Sequence, residues 1–370
     1  MHKLEEKIEQ TIKERNLATE DSAVLLMVSG GSDSTALAYL GAYLREKGAI
    51  KDLAMLHVNH KLRPGAAEVD QAFVEQLAQL LEIPLFVCEI DVAGEASRLG
   101  ENVEAVARRE RYAAAQQAWE SMCFHTESKP EISSIFMAHT QDDRVENFYM
   151  RSIVGTGPGG FRSMQYRNGN KARPCLDVSR KDLRNYIKQR AEAGLPVVRD
   201  EQGNLWREDA SNEETDYFRA YVRKEIIPLA KKRNPQLLDV LCRSMNLIAD
   251  EDDMLESMTK EAFQENVSFL CEEQGHEDKA AGCLLQPGFA FLPVPLQRRV
   301  IVYALHTILG FEARIESASV QAICEAFEQQ KPKSGYVANI QGNLAVSSNK
   351  KGVRIEPMAA FRARRKPQHK

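Results

Sequence analysis

The sequence predicts an α/β fold in which helices wrap a parallel sheet, followed by a helical connector and a smaller α+β domain. In the first half, short apolar segments alternate with amphipathic stretches of about ten or more residues, which is typical of repeated strand and helix units. A glycine-serine turn stands directly between the first apolar segment and the next amphipathic one. The predicted strands are Ala23–Ser29, Leu53–Asn59, Pro84–Glu89 and Ser134–Ala138.

The helices are predicted from hydrophobic periodicity and from the residues at their ends. One begins near Asp33, one ends at the glycines of 155–160, and one is capped by Ser179. A further strand is predicted over Ala172–Leu176. The other predicted helices cover 67–81, 103–121, 217–229, 234–266, 296–309 and 317–329. A pair of hairpins is predicted around Gly342 and Lys351-Gly352.

These patterns divide the chain into four segments. They are a sheet domain over 1–215, a helical connector over 216–280, a small α+β domain over 281–360 and a basic tail over 361–370. The connector carries most of the acidic excess, with eleven acidic side chains and one lysine between Asp250 and Asp278. The rest of the chain is therefore basic, although the formal net charge is -4.

Composition excludes several classes of protein. Of the 370 residues, 43% are hydrophobic and 28% are charged, which excludes a disordered or low-complexity chain. The apolar run at Ala23–Val28 is far shorter than a membrane-spanning helix. The N-terminal segment has no apolar centre, so we expect a cytoplasmic protein without a secretory signal or membrane association. The seven cysteines form no CxxC pair and suggest neither a disulfide framework nor a zinc site.

The glycine-serine turn carries the strongest chemical signal in the sequence. It reads Ser29-Gly30-Gly31-Ser32-Asp33-Ser34. The glycines allow positive φ, so that backbone amides can converge on an anion at the positive end of the helix dipole. The Walker pattern with its lysine is absent, which favours pyrophosphate binding over transfer of a γ-phosphate. The alternative is a plain turn in which Ser32 or Asp33 only caps the helix.

A second polar cluster follows the fourth predicted strand. His139, Asp142, Asp143 and Glu146 lie at the carboxyl edge, where open α/β sheets bind ligands. Asp143 and Glu146 are three residues apart and therefore share a helix face. Such a pair can hold an ammonium group or a magnesium ion and can help to deprotonate an amine. The alternative is that these acids only stabilise a helix N-terminus.

Basic residues form two further candidate surfaces. Arg108 and Arg111 share a helix face and could contact phosphates. A later stripe sets basic side chains beside Tyr217, Phe218 and Tyr221, which suits phosphate binding with base stacking. Its basic members are Arg219, Arg223, Lys224, Lys231, Lys232 and Arg233. For both surfaces the alternative is a solvated face held by salt bridges.

The glycine-serine turn resembles the signature of the N-type ATP pyrophosphatases, which act at the α-phosphate and release pyrophosphate. Other segments resemble successive motifs of the tRNA(Ile)-lysidine synthetases. These are His57-Val58-Asn59-His60-Lys61-Leu62-Arg63, Glu101-Asn102-Val103-Glu104-Ala105, Ala138-His139-Thr140-Gln141-Asp142-Asp143-Arg144-Val145-Glu146, Met150-Arg151, Ser179-Arg180 and Asp209-Ala210-Ser211-Asn212. The resemblance covers about residues 20 to 235. Asn147 and Val154 depart from the family's pattern, which affects tRNA contacts more than nucleotide contacts.

The resemblance implies a reaction with three substrates. ATP would adenylylate the C2 oxygen of the wobble cytidine in the CAU anticodon of tRNA(Ile), with Mg²⁺ assisting the departing pyrophosphate, and L-lysine would then displace AMP. The residues from Ser29 to Ser34 and His139 would bind ATP, and Asp33 would position metal or phosphate. Asp143 would orient and deprotonate lysine with Glu146 as its partner, and Arg108 and Arg111 would meet the cytidine or its phosphates. The expected tRNA contacts are Arg151, Arg219, Arg223 and Lys224, and a homodimer is a candidate assembly.

Two other functions are weighed against lysine ligation. A related pyrophosphatase could thiolate tRNA, but that chemistry needs a thiolate or an iron-sulfur cluster, and only Cys175 lies near the sheet edge. A non-catalytic tRNA-binding relative is the second alternative. The presence of the whole glycine-serine turn and of the acidic cluster favours an enzyme.

Overall fold

The computed structural model of the protein describes residues 2–62, 65–208, 217–270, 282–311 and 313–365. The predicted motif Asp209-Ala210-Ser211-Asn212 and the last part of the predicted basic tail, 366–370, lie outside the described residues. The chain divides into two compact units, Met1–Ala249 and Asp250–Lys370. The finer boundaries at 215, 280 and 360 stay predictions. No helix in the described part of the chain is long and apolar enough to cross a membrane.

The first unit is built on one sheet. Its strands are β1 (Ala23–Met27), β2 (Asp52–Asn59), β3 (Leu85–Glu89), β4 (Ser134–Phe136), β5 (Arg167–Asn168) and β6 (Lys171–Ala172). Among the described residues the strand order is β3-β2-β1-β4-β6-β5, and all neighbours are parallel except β5 and β6. The predicted parallel-sheet α/β fold is confirmed.

The helices from the start of the chain to residue 266 are α1 (His2–Glu14), α2 (Ser32–Glu46), α3 (Ala66–Leu80), α4 (Val92–Leu99), α5 (Val103–His125), α6 (Gln141–Val154), α7 (Arg180–Glu192), α8 (Tyr217–Tyr221), α9 (Ile227–Arg233) and α10 (Leu237–Asn266). Of these, α1, α2, α3 and α7 pack on one face of the sheet and α5 packs on the other. A π-helix over Val222–Ile226 joins α8 to α9, and α10 crosses the boundary between the two units.

Side-chain alternation along β1 explains the two faces. Val24 and Leu26 belong to the core shared with α2, α3 and α7, whereas Ala23 and Leu25 belong to the core shared with α5. Successive strand residues point to opposite faces, and all four are fully buried, so β1 is the central strand of the unit.

The strand order fixes where a ligand can bind. The chain proceeds outward from β1 through β2 to β3, then returns to place β4 on the other side of β1. The carboxyl ends of β1 and β4 therefore flank the topological switch point of the sheet, which is where open α/β sheets bind ligands. The glycine-serine turn follows β1, and the acidic cluster follows β4.

One strand prediction is mostly wrong. The predicted strand Ala172–Leu176 is reduced to β6, which ends at Ala172. Pro174 lacks the N–H that a ladder needs, and the chain turns there, with Val178 N–H donating to the Cys175 carbonyl. The four other predicted strands of this unit are confirmed with ends shifted by at most two residues.

The second unit combines an antiparallel sheet with helices. Its elements are β7 (Val267–Phe269), β8 (Cys283–Leu285), α11 (Val294–Leu309), α12 (Ser317–Cys324), β9 (Phe327–Glu328), β10 (Lys331–Pro332), β11 (Val337–Ile340), β12 (Leu344–Asn349), β13 (Gly352–Pro357) and α13 (Met358–Arg365). In the described part the larger sheet has the order β11-β12-β13-β8-β7. The predicted hairpin pair is confirmed, whereas the helix predicted over 317–329 ends at Cys324.

Candidate active site

The glycine-serine turn, here called the phosphate loop (Ser29–Ser34), joins β1 to α2. Gly30 has φ +90°, which favours glycine, and Gly31 is the N-cap residue of α2. Ser34 Oγ donates to the Gly31 carbonyl at 3.1 Å and accepts from Ser29 N–H at 3.2 Å. Gly31 has no side chain that could cap the helix, so the amides at the start of α2 suit an exogenous anion.

Asp33 is the acidic residue of the phosphate loop. Its Oδ2 accepts from Arg180 Nε at 2.9 Å, and its Oδ1 accepts from Ser32 Oγ at 3.1 Å. Burial raises the pKa of Asp33 above its ordinary value, although the Arg180 guanidinium opposes this shift. Asp33 is thus a carboxylate whose charge is costly until a further cation arrives.

The acidic cluster begins at the N-terminus of α6. Thr140 caps the helix, and its N–H and Oγ each donate to Asp143 Oδ2 at 2.8 Å. Asp143 is 8% exposed and Glu146 is 1% exposed. Charged groups this deeply buried require partners of opposite charge.

Three arginines supply those partners. Asp143 Oδ1 accepts from Arg219 at 2.8 Å and from Arg180 at 3.2 Å. Glu146 accepts from Arg219 Nε at 2.7 Å and receives two bonds from Arg223, at 2.7 and 3.0 Å. Burial acts to raise the pKa of Asp143, but the guanidiniums of Arg180 and Arg219 outweigh it and hold this pKa below its ordinary value. Arg180 therefore links the acidic cluster to the phosphate loop.

The two adjacent aspartates have different roles. Asp142 Oδ2 accepts from the backbone N–H of Arg180 at 2.8 Å, and its Oδ1 lies 3.6 Å from Lys231 Nζ. Asp142 thus accepts a hydrogen bond from the first backbone N–H of α7. Asp143 is the aspartate that shares arginine partners with Glu146. The sequence spacing alone could not distinguish them.

His139 precedes the cluster at the end of β4. Burial lowers its pKa to about 4, so the imidazole is neutral at pH 7. Its Nδ1 atom is buried and has no hydrogen-bond partner in the described structure. Arg108 and Arg173 also contribute to lowering this pKa, which puts Arg108 in the same electrostatic environment as His139. An orphaned ring nitrogen beside the switch point suits contact with a bound nucleotide.

The remaining predicted residues lie on the surface around this centre. Arg108 lies over the Tyr112 ring, with 5.0 Å between guanidinium carbon and ring centroid, and Arg111 lies 3.3 Å from His60 Nε2. Arg151 donates to Asn147 Oδ1 at 2.8 Å, and Lys224 is exposed on the π-helix. Arg219 and Arg223 differ from these residues because they face the acidic cluster.

Residues of α7 are the main addition to the predicted site. Arg180 bonds Asp33 and Asp143, and Arg184 Nε donates to Ser32 Oγ at 3.1 Å. In the sequence these two arginines have the spacing of an ordinary exposed helix face. Only the packing of α7 against α2 brings them to the phosphate loop. The resemblance marked Ser179-Arg180 as a motif but assigned Arg180 no contact, and no sequence signal pointed to Arg184.

The opposite pKa shifts of Asp33 and Asp143 predict opposite effects of acid on stability. The folded-state pKa of Asp143 lies below 3.8, so its charge contributes stability above that pH and loses it as pH falls through the folded-state value. Asp143→Asn should therefore cost most at neutral pH and progressively less below about pH 4. For Asp33, whose pKa is raised, the wild type should gain stability relative to Asp33→Asn as pH falls. Urea unfolding between pH 3 and 7 measures both trends, and parallel curves for the two variants would contradict this.

The fold and the site together define a class of protein: an α/β nucleotide-binding domain with a glycine-serine phosphate loop at its switch point. Residues 1–230 match the model of the PP-loop domain family, and the chain belongs to that family.

The relatives found by sequence include tRNA(Ile)-lysidine synthases. The one from Geobacter sulfurreducens is 31% identical over 84% of this chain and 60% of its own length. The one from Thermus thermophilus is 36% identical over 65% of this chain and 42% of its own length. The chain thus spans less than two thirds of the length of these relatives. Among solved structures, the U34-tRNA thiolase NcsA from Methanococcus maripaludis covers 67% of this chain and 78% of its own at 15% identity, with a TM-score of 0.47.

Proposed function

We propose that this protein is a ligase that joins L-lysine to C2 of the wobble cytidine in the CAU anticodon of tRNA(Ile), forming lysidine with release of AMP and pyrophosphate. The observation that carries this proposal is the pairing of two half-sites through Arg180. One half-site suits a pyrophosphate leaving group, and the other, Asp143 with Glu146, suits a cationic amine. The lysidine synthase relatives support the same choice of substrates.

The first step would be activation of the cytidine by ATP. The phosphate loop would hold the polyphosphate, and neutral His139 would contact the nucleotide. Mg²⁺ is usually held by one or two carboxylates together with substrate phosphates, and Asp33 fits that role. No described group of three or more His, Cys, Asp or Glu side chains could hold a metal, so its other ligands would be phosphate oxygens and water. When bound, Mg²⁺ would neutralise the charge of the departing pyrophosphate.

The second step would be attack by the ε-amine of lysine. Arg219 bridges the two carboxylates, donating to Asp143 Oδ1 at 2.8 Å and to Glu146 at 2.7 Å, so a single cation with several N–H donors can contact both, as an ammonium group would. Asp143 has a lowered pKa and stays ionised at pH 7, so it can orient the amine. As the bond to C2 forms, the attacking nitrogen becomes positively charged and much more acidic, and Asp143 can then accept its proton. For the amine to bind, at least one hydrogen bond from these arginines to a carboxylate oxygen of Asp143 or Glu146 must break, so that the amine can take its place.

Recognition of tRNA would use the basic surfaces around the site. Arg108 with Tyr112 presents a guanidinium and an aromatic ring, which suits a cytidine lifted from its stack. Arg151 and Lys224 are exposed and suit phosphate contacts. Arg219 and Arg223 can reach RNA only if they leave the acidic cluster. A tRNA substrate would place the activity in the cytoplasm, and the homodimer stays a prediction.

The test is incorporation of labelled lysine into RNA. The protein is incubated with ATP, Mg²⁺, labelled lysine and a tRNA(Ile) transcript with a CAU anticodon, beside a methionine tRNA with the same anticodon. Label in the isoleucine tRNA alone supports the proposal. ATP-dependent AMP release without label would overturn the lysine assignment. Failure of tRNA-dependent ATP-pyrophosphate exchange would indicate the non-catalytic relative instead.

The thiolase alternative makes a different prediction for cysteine. Cys175, the cysteine beside the sheet edge, is fully buried, and burial raises its pKa to about 12. It is therefore a thiol and not a nucleophilic thiolate at pH 7. We expect Cys175→Ala to keep lysine incorporation within about threefold of the wild type, since only packing is lost. A complete loss in a folded variant with normal ATP affinity would favour sulfur chemistry.

A further inference from the structure

A segment far from the phosphate loop in sequence packs against it. This crossing segment, residues 198–208, follows α7. Arg207 N–H donates to the Gly30 carbonyl at 2.9 Å. The guanidinium of Arg184 lies over the ring of Trp206, 5.6 Å from its centroid, and Arg184 Nε donates to Ser32 Oγ at 3.1 Å. Two successive residues of the crossing segment thus support two positions of the phosphate loop, one directly and one through Arg184.

The contact at Gly30 controls the orientation of one peptide unit. The Gly30 carbonyl accepts from Arg207 N–H and also from Thr35 Oγ at 3.1 Å. In a planar trans peptide the carbonyl and the following N–H point in opposite directions, so fixing this oxygen fixes the Gly31 N–H toward the other side. Glycine has no side chain that would hold φ at +90°, so the orientation depends on such external bonds.

The side chain of Arg207 holds its own backbone in place. Its Nε lies 2.8 Å from Asp70 Oδ1 on α3, and its Nη1 lies 3.2 Å from Asp200 Oδ2. Asp200 in turn accepts from the backbone N–H groups of Gln202 and Asn204, at 2.9 and 2.8 Å. The guanidinium therefore joins the turn of the crossing segment to α3. These two ion pairs restrain the residue and with it the backbone N–H that bonds Gly30.

We propose that Arg207 is a positioning residue for the phosphate loop, which it holds so that the Gly31 N–H faces a phosphate of ATP. The proposal deepens the proposed function and rests on it only in requiring that the phosphate loop binds ATP. Arg207 touches no reacting atom in this role. Its loss should therefore weaken nucleotide binding while leaving the chemistry of the bound complex largely intact.

The experiment measures ATP affinity of the full chain by isothermal titration calorimetry with Mg²⁺ present. Arg207→Ala removes both ion pairs of Arg207, and Arg207→Lys keeps the charge without the forked geometry of the guanidinium. Asp70→Asn weakens the ion pair with α3 and leaves the one with Asp200 in place. Arg199→Ala is the matched control, because Arg199 is an exposed arginine of the same segment whose side chain donates to the Gly203 carbonyl at 2.9 Å and has no described bond to the phosphate loop. Losing one well-placed hydrogen bond to a charged group corresponds to a weakening of about tenfold.

We expect the Kd for ATP to rise about tenfold in Arg207→Ala and less in Arg207→Lys and Asp70→Asn, with Arg199→Ala unchanged. The KM for ATP should rise in parallel, with kcat within about threefold of the wild type. A folded Arg207→Ala variant with wild-type ATP affinity would overturn the proposal. If that variant does not fold, unchanged affinity in Arg207→Lys and Asp70→Asn together overturns it.

The two proposals fail separately. If the wild type does not incorporate lysine but its ATP affinity still depends on Arg207, the positioning role is supported. Only the proposed lysine substrate is then rejected. A wild type that does not bind ATP overturns both.

Discussion

Asp143→Asn should abolish lysine incorporation into tRNA(Ile), with a loss of about 100-fold or more, as is usual when a general base is removed. The amide keeps the size of the side chain and its acceptor toward Thr140, but it has no charge to hold an ammonium group and cannot take its proton. Single-turnover incorporation at saturating ATP and lysine measures this effect.

The control for this prediction is the adjacent aspartate. Asp142→Asn keeps an oxygen for the Arg180 N–H, so it should lower incorporation less than about tenfold. Both variants should bind ATP with near wild-type affinity. Equal losses in the two variants, or more than a tenth of wild-type activity in Asp143→Asn, would show that Asp143 is not the residue that handles the amine.

Arg144→Met should produce the largest loss of stability among single substitutions near the site. Arg144 is fully buried on α6 and donates to Asp177 Oδ1 at 3.2 Å, to Asn246 Oδ1 at 2.8 Å and to the Tyr166 hydroxyl at 3.3 Å. Methionine fills a similar volume but removes the charged donor from Asp177, Asn246 and the Tyr166 hydroxyl. We expect a loss of about 3 kcal/mol in the free energy of unfolding.

A loss of that size lowers Tm by about 6–12 °C in a unit of this length. Thermal unfolding followed by circular dichroism measures it. Arg151→Met is the matched control, since Arg151 is an exposed arginine of the same helix, and its effect should stay within about 0.5 kcal/mol. Similar Tm values for the two variants would contradict the role assigned to the buried arginine.

The sequence predicted those features of the fold that depend on local pattern. The strands on either side of the switch point and the phosphate loop follow from apolar runs and turn residues that are close in sequence. The strand over Ala172–Leu176 failed because a single proline outweighed its apolar neighbours. Asp143 and Glu146 were found because they lie within one turn of the same helix.

The arginine contacts could not be predicted in the same way. Arg180 and Arg207 reach the phosphate loop from more than a hundred residues away, and their partners are set by the packing of α7 and of the crossing segment. Arg219 and Arg223 were predicted to contact tRNA, and they bind carboxylates in this structure. An arginine on a helix face has the same sequence pattern whether its partner is a phosphate, a carboxylate or water.

Asp33 of the phosphate loop, the acidic cluster and their arginines form an electroneutral set: the carboxylates Asp33, Asp143 and Glu146 balance the guanidiniums Arg180, Arg219 and Arg223. A lysine ammonium would leave an uncompensated positive charge in a poorly solvated space, whereas the polyphosphate of ATP brings the opposite charge. We therefore expect ATP to lower the Kd for lysine about tenfold, and lysine to lower the Kd for ATP by the same factor. Titrations of each ligand with and without the other measure this effect. A Kd for lysine that is the same with and without ATP would show that the two ligands do not interact electrostatically. The two half-sites would therefore bind their ligands cooperatively, because each ligand supplies the charge that the other needs as its counterion.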